Sequence, residues 1–170
     1  YTMVIKHSSS FKEKVRHVGT FDLKETYRIL FEWLIGKGYL VDETAYKEII
    51  GTGGAKEVQI FWTAKKDQSD YFQYEFSIFI HPLAMTSVEV EVNGVKQKTN
   101  KGDLTIEITW SINKDYKNSF SNNNFTKAMR EFYDNFLVRS RIEEQEALIV
   151  KDFEEMVALL KDFLALTGTR

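Results

Sequence analysis

The stretch that most constrains this chain is Tyr71–Ile80, reading Tyr-Phe-Gln-Tyr-Glu-Phe-Ser-Ile-Phe-Ile. Phe72, Tyr74, Phe76, Ile78 and Ile80 are apolar or aromatic at alternate positions, with Tyr71, Gln73, Glu75, Ser77 and Phe79 between them. Successive side chains of a strand point to opposite sides of its sheet, so this period predicts a strand with one buried face. The opposite face is unusual. It is too aromatic for plain solvent exposure and too polar for a sealed core.

Similar alternation recurs on both sides of this stretch. Val58, Ile60, Trp62 and Ala64 alternate with Gln59, Phe61 and Thr63, and Val88, Val90 and Val92 alternate with Glu89 and Glu91. Asn93-Gly94 is a strong hairpin signal, because both residues tolerate the positive φ that such a turn needs. Lys96 to Lys101 then extends that hairpin or loops out of it. Leu104, Ile106, Ile108, Trp110 and Ile112 form a further alternating set. Short connections between successive strands imply an antiparallel meander, since parallel neighbours need long crossovers. His81-Pro82 is expected to close the central strand, because proline cannot donate to a ladder. Phe11 to Val18 reads as an edge strand carrying Lys12, Lys14 and Arg16, ended by a turn at Gly19-Thr20. Tyr39–Val41 and Ala45–Ile50 read as short approaches to the sheet.

Helical spacing appears at both ends. Asp22 to Ile35 carries an N-cap at Asp22, Glu25 three residues on, and Leu23, Tyr27, Leu30, Phe31 and Leu34 on one face; Gly36 and Gly38 follow as stops. Phe125–Val138 and Ile142–Leu166 read as two further helices meeting at a bend at Arg139-Ser140-Arg141. The second has an apolar stripe of Ile142, Ile149, Phe153, Met156, Leu160 and Phe163, widened by Val150, Val157 and Leu164. The expected fold class is therefore α+β in a single domain over residues 1–170. It is a curved antiparallel sheet of about five strands, packed on one face by an N-terminal helix and two C-terminal helices, in the order β-α-β(4-5)-α-α. Such a layout is similar in outline to helix-grip folds, which enclose apolar ligands between sheet and helix.

Composition narrows the chemistry. The 170 residues contain no cysteine, which excludes disulfides, cysteine zinc sites, iron–sulfur ligation and cysteine nucleophiles. A chain without cysteine fits a reducing cytosol, so a cytoplasmic location is the expectation. The formal charge of −2 and a pI near 6.0 argue against a nucleic-acid partner. No segment resembles a membrane span or a signal peptide.

Catalytic, metal and cofactor motifs are absent. Gly51-Thr52-Gly53-Gly54 leads into a strand rather than a helix N-terminus, so it reads as a hairpin turn and not a phosphate cradle. His7, His17 and His81 have no metal-ligand spacing, and no cofactor is expected. Asn124-Phe125-Thr126 matches a glycosylation triplet of a kind that chance often produces. Glu89, Glu91 and Glu107 form an acidic row, read as the wet face of a sheet balanced by Lys96, Lys98 and Lys101 or by Lys12, Lys14 and Arg16. Arg139 and Arg141, with Lys127 and Arg130, lie beside Glu143, Glu144 and Glu146, which favours local ion pairing over anion binding. Glu75 is the one carboxylate of special interest. On a covered second face it would be desolvated, and on an open one it would be an ordinary strand residue.

The resulting expectation is a non-enzymatic binding or interaction module. Its partner is a protein or a second copy of the chain. The alternative is a small apolar ligand held between the sheet and the C-terminal helix by Trp62, Tyr74, Phe76, Trp110 and Phe153. The candidate ligand- or partner-binding residues are Trp62, Tyr71, Gln73, Tyr74, Glu75, Phe79 and Trp110.

Overall fold

The computed structural model of the chain describes residues 5–6, 11–114 and 139–168. Its centre is an antiparallel hairpin of β5 (Phe72–Val92) and β6 (Val95–Lys114). Asn93 (φ 53) and Gly94 (φ 80) make the turn between them, with the paired positive φ values that match strand twist. On one side of the hairpin β4 (Lys56–Asp67) pairs with β5, and β3 (Leu40–Ile50) pairs with β4. On the other side β2 (Lys12–Phe21) and the short β1 (Ile5–Lys6) pair with successive parts of β6. All pairings are antiparallel, giving an open sheet with β3 at one edge.

The structure lengthens the expected strands. Tyr71–Ile80 and Val88–Val92 belong to one strand, and His81-Pro82 does not interrupt it. Pro82 stays in the ladder opposite Leu104, while none of residues 81–84 has a register partner on β4. On the β4 side the sheet therefore asks Pro82 for no donor. Just beyond, the β5–β6 register shifts between Leu83 and Thr86, and Ala84 adopts φ 49. The turn expected at Gly19-Thr20 is likewise absent. β2 runs through both residues to Phe21, with Gly19, at φ 131, opposite Gly102. Tyr39–Val41 and Ala45–Ile50 also merge, into a β3 that carries a bulge at Thr44.

The first helix, α1 (Leu23–Gly36), starts as its sequence dictates. The Asp22 carboxylate accepts from the Glu25 amide at 3.0 Å, satisfying one of the free donors of the first turn. Its end is a glycine motif: the Gly38 amide bonds the Ile35 carbonyl, the Tyr39 amide bonds the Leu34 carbonyl, and Gly38 takes φ 90. The second helix, α2 (Arg139–Gly168), buries Ile142, Ile149, Phe153, Met156, Val157, Leu160 and Leu164. The expected set of one N-terminal and two C-terminal helices is not what the described residues hold. They contain two helices, one following β2 and one C-terminal. The stretch 125–138, expected to be helical, lies outside the described residues.

Both described helices sit on the face that carries Trp62, Tyr74, Phe76, Ile80, Ile106, Ile108 and Trp110, forming one core. Tyr27 meets Trp62 edge-on at 4.6 Å, and Phe153 stacks on Phe76 at 6.5 Å. Full burial of each large side chain contributes about 1.5–3 kcal/mol. Ion pairs at the rim, Lys161–Glu13 at 3.0 Å and Lys37–Glu155 at 2.9 Å, tie α2 to β2 and to the end of α1. Both are solvent-facing, so their contribution is about 0–1 kcal/mol each.

Candidate functional site

The sequence-derived candidates fall on two sides of the sheet and do not form one site. Trp62, Tyr74 and Trp110 are core residues. The Trp62 indole N–H donates to Glu43 at 3.3 Å, and the Tyr74 hydroxyl donates to Gln145 on α2. Burial, and secondarily the charge of Asp152, pushes the Tyr74 phenol up to about 12. Tyr39 donates to Asp152 at 2.9 Å and is raised by the same burial and charge. Of the side chains assigned to an apolar-ligand pocket, Trp62, Tyr74, Phe76, Trp110 and Phe153 are all buried in the shared core. Tyr71 is half-buried and packs edge-on against Phe72 at 5.0 Å.

Gln73, Glu75 and Phe79 lie on the other side. Phe79 stacks between Phe61, at 4.3 Å and 12°, and His81, at 4.9 Å and 24°. The His81 imidazole Nε2 contacts the Glu57 carboxylate at 2.7 Å, which holds Glu57 below the usual carboxylate range. Glu75 is only 6% exposed, so it is not an ordinary solvated strand residue. The Asn113 side-chain amide donates to Glu75 at 2.8 Å and to Gln73 at 3.0 Å, joining β6 to β5 across this face. Gln73 in turn donates to Asp67 at 2.9 Å. The Asn113 side-chain oxygen is buried, with no hydrogen-bond partner among the described residues.

Gln73 and Glu75 line one end of a cleft of about 680 Å³. Its walls are Thr63, Lys65 and Asp67 of β4 and Leu40, Asp42 and Thr44 of β3. The cleft thus crosses from the centre of the sheet to its β3 edge. Sequence periodicity places Thr63 on the polar side of its strand but singles out none of the β3 and β4 lining residues as site candidates. Asn113 follows Ile112 in the alternating pattern of β6, and continuing that alternation past Ile112 places it beside Glu75.

β3 itself holds no buried residue. Leu40 is 78% exposed and Ile50 69% exposed, and Tyr46 and Ile49 are exposed as well. Among the described residues, no strand pairs with its outer side. Register partners share a face, which sorts its residues. Leu40, Asp42, Ala45, Lys47 and Ile49 face the open side, opposite Lys65, Thr63, Phe61, Gln59 and Glu57. Val41, Glu43, Tyr46 and Glu48 face the core side, opposite Ala64, Trp62, Ile60 and Val58. The bulge lets both halves of the strand keep these assignments.

The acidic row is neutralised locally. Glu89 and Glu91 stand opposite Lys98 and Lys96, and Glu107 pairs with Lys12 at 2.8 Å. Arg16 grips Asp103 through two bonds of 3.0 and 2.7 Å, which lowers the Asp103 carboxyl. His17 bonds the Thr20 carbonyl oxygen at 2.8 Å. Lys127, Arg130 and the Asn124–Thr126 triplet lie outside the described residues. No helix of the described residues is long and apolar enough to cross a membrane. Comparison with protein-family models, curated proteins and solved structures gives no match to this chain.

Proposed function

We propose that this protein is a non-enzymatic interaction module that binds an extended segment of a partner protein along β3. The observation that carries this reading is β3: an edge strand of eleven residues, paired on one side only among the described residues, that exposes Leu40, Tyr46, Ile49 and Ile50. An open edge offers a row of backbone donors and acceptors to an added strand, and side chains at alternate positions supply selectivity. The cleft beside β3 receives open-face side chains of that segment against Leu40, Asp42 and Lys65.

The test is a selection of random ten-residue peptides on the protein, counter-selected against Tyr46→Lys/Ile49→Lys. Peptides that bind the parent, lose binding on the variant and slow hydrogen exchange of β3 amides support the reading. A selection that enriches no peptide with this dependence overturns it.

A further inference from the structure

We propose that the strand added to β3 is β3 of a second copy of this chain, paired antiparallel about a two-fold axis at the Thr44 bulge; this rests on the strand-addition reading above.

The bulge decides the occupant. Because the β3–β4 register shifts between Glu43 and Ala45, the open face carries Leu40 and Asp42 before the bulge and Ala45, Lys47 and Ile49 after it. A straight strand laid along β3 keeps its faces in step on one half only, since a single-residue slip turns every side chain to the other face. A second β3 carries the same extra residue at the same place, so its faces match on both halves.

In that register Leu40 of one copy stands opposite Ile49 of the other, Val41 opposite Glu48, Asp42 opposite Lys47, Glu43 opposite Tyr46 and Thr44 opposite Ala45. Two-fold symmetry makes each pair twice. The open face then carries an apolar pair, Leu40 with Ile49, and an opposite-charge pair, Asp42 with Lys47. All of these side chains except the half-buried Val41 and Ala45 are exposed in the single chain. Neighbouring β3 registers place Glu43 opposite Thr44 or Ala45 opposite Tyr46, crossing the faces at the centre. The Glu48 carboxylate, set opposite Val41, already has a partner in Lys56 at 2.7 Å. Pairing closes the exposed edge and leaves no second β3 edge to propagate, so the assembly stops at two.

The test is sedimentation velocity across a concentration series on the full chain and its charge variants. The wild type is expected to dimerise. Asp42→Lys alone and Lys47→Asp alone each set like charges opposite one another in both symmetric positions, raising the dissociation constant about tenfold. Mixing the two single variants restores opposite charges at both positions, so the mixture forms a heterodimer of near wild-type affinity. The double variant Asp42→Lys/Lys47→Asp recovers a homodimer. Thermal melts of the singles matching wild type at low concentration confirm that folding is intact. A wild type that stays monomeric at millimolar concentration overturns self-pairing, as does a dimer indifferent to both reversals. Self-pairing alone fails if selected peptides still protect β3 in a monomeric protein; strand addition fails if neither peptides nor a second copy protect it.

Discussion

Gly102 of β6 lies directly against the backbone of β5: a Cβ at this position would stand 2.7 Å from the Leu83 carbonyl oxygen. It would also come within 3.1 Å of the Ala84 carbonyl oxygen and the Met85 Cα. These are backbone atoms of the bulge and have no rotamer with which to move aside. Gly102→Ala is therefore expected to destabilise the fold by about 2 kcal/mol or more, read as a lower midpoint of urea unfolding. The companion change has the opposite sign. Ala84 holds φ 49, where a side chain is strained by about 1 kcal/mol, so Ala84→Gly is expected to be neutral or mildly stabilising.

Asn113→Asp replaces the amide that donates to Glu75 and Gln73 with a second buried carboxylate. At neutral pH the loss is expected to be about 3 kcal/mol, from like-charge repulsion and from loss of the two bonds that Asn113 donates. Repulsion raises the folded-state pKa of the introduced carboxyl above its unfolded value near 4. Its protonated form is therefore favoured in the fold, and the deficit against wild type should shrink as pH falls toward 4. Chemical unfolding of both proteins at several pH values checks this. A deficit independent of pH would contradict the placement of Asn113 beside Glu75.

Raised tyrosines give the protein an alkaline limit. The Tyr74 phenol is held near 12 in the fold against an ordinary value of 10.0, so between these values the unfolded chain loses a proton that the folded one keeps. Stability is complete below pH 10 and falls as pH rises toward 12. The melting temperature of the wild type should drop across this window. Tyr74→Phe, which has no proton to lose, should show a shallower slope together with a lower starting stability from the lost bond to Gln145.

Tyr39 links the strand side of the molecule to α2 through Asp152. Tyr39→Phe keeps the ring against Phe76, at 5.0 Å, and removes only the hydroxyl. A loss of about 1.5–3 kcal/mol is expected, the range for a hydrogen bond to a charged acceptor. Hydrogen exchange should accelerate most in the α2 segment around Asp152.

Much of the architecture was legible because a half-buried strand must alternate, and Val58–Ala64, Tyr71–Ile80 and Leu104–Ile112 do so, with Glu75 and Thr105 the buried exceptions on the other face. The α1 boundaries were legible from Asp22 and Gly38, which act on their nearest neighbours. Features set by distant chain segments were not. Pro82 continues the strand because β4 leaves a gap opposite it, and that gap is invisible from Pro82 and its neighbours. Asp42–Glu43–Thr44 shows no period, because the bulge changes the facing of the strand there. Glu75 and its second face stood out, yet the cleft walls on β3 and β4 did not, since Thr63, Lys65 and Asp42 are unremarkable polar strand residues. Asn113 falls just past the last apolar residue of the Leu104–Ile112 set, yet it lies within β6 and donates to the buried Glu75 carboxylate.

The β5–β6 hairpin has a kinetic consequence. Its pairs run outward without a long loop from Val92–Val95 at the turn to Phe72–Lys114 at the open end. Closing the turn brings the next pair within reach, so the ladder can zip from Asn93-Gly94 at little loop-closure entropy. Hairpins form within about 1–10 μs, ahead of the long-range docking of β2 and α2. The hairpin is thus expected to act as the folding nucleus, with β4, β3 and β2 adding to its edges. Destabilising changes near the turn should slow folding, whereas equally destabilising changes in β3 should mainly speed unfolding.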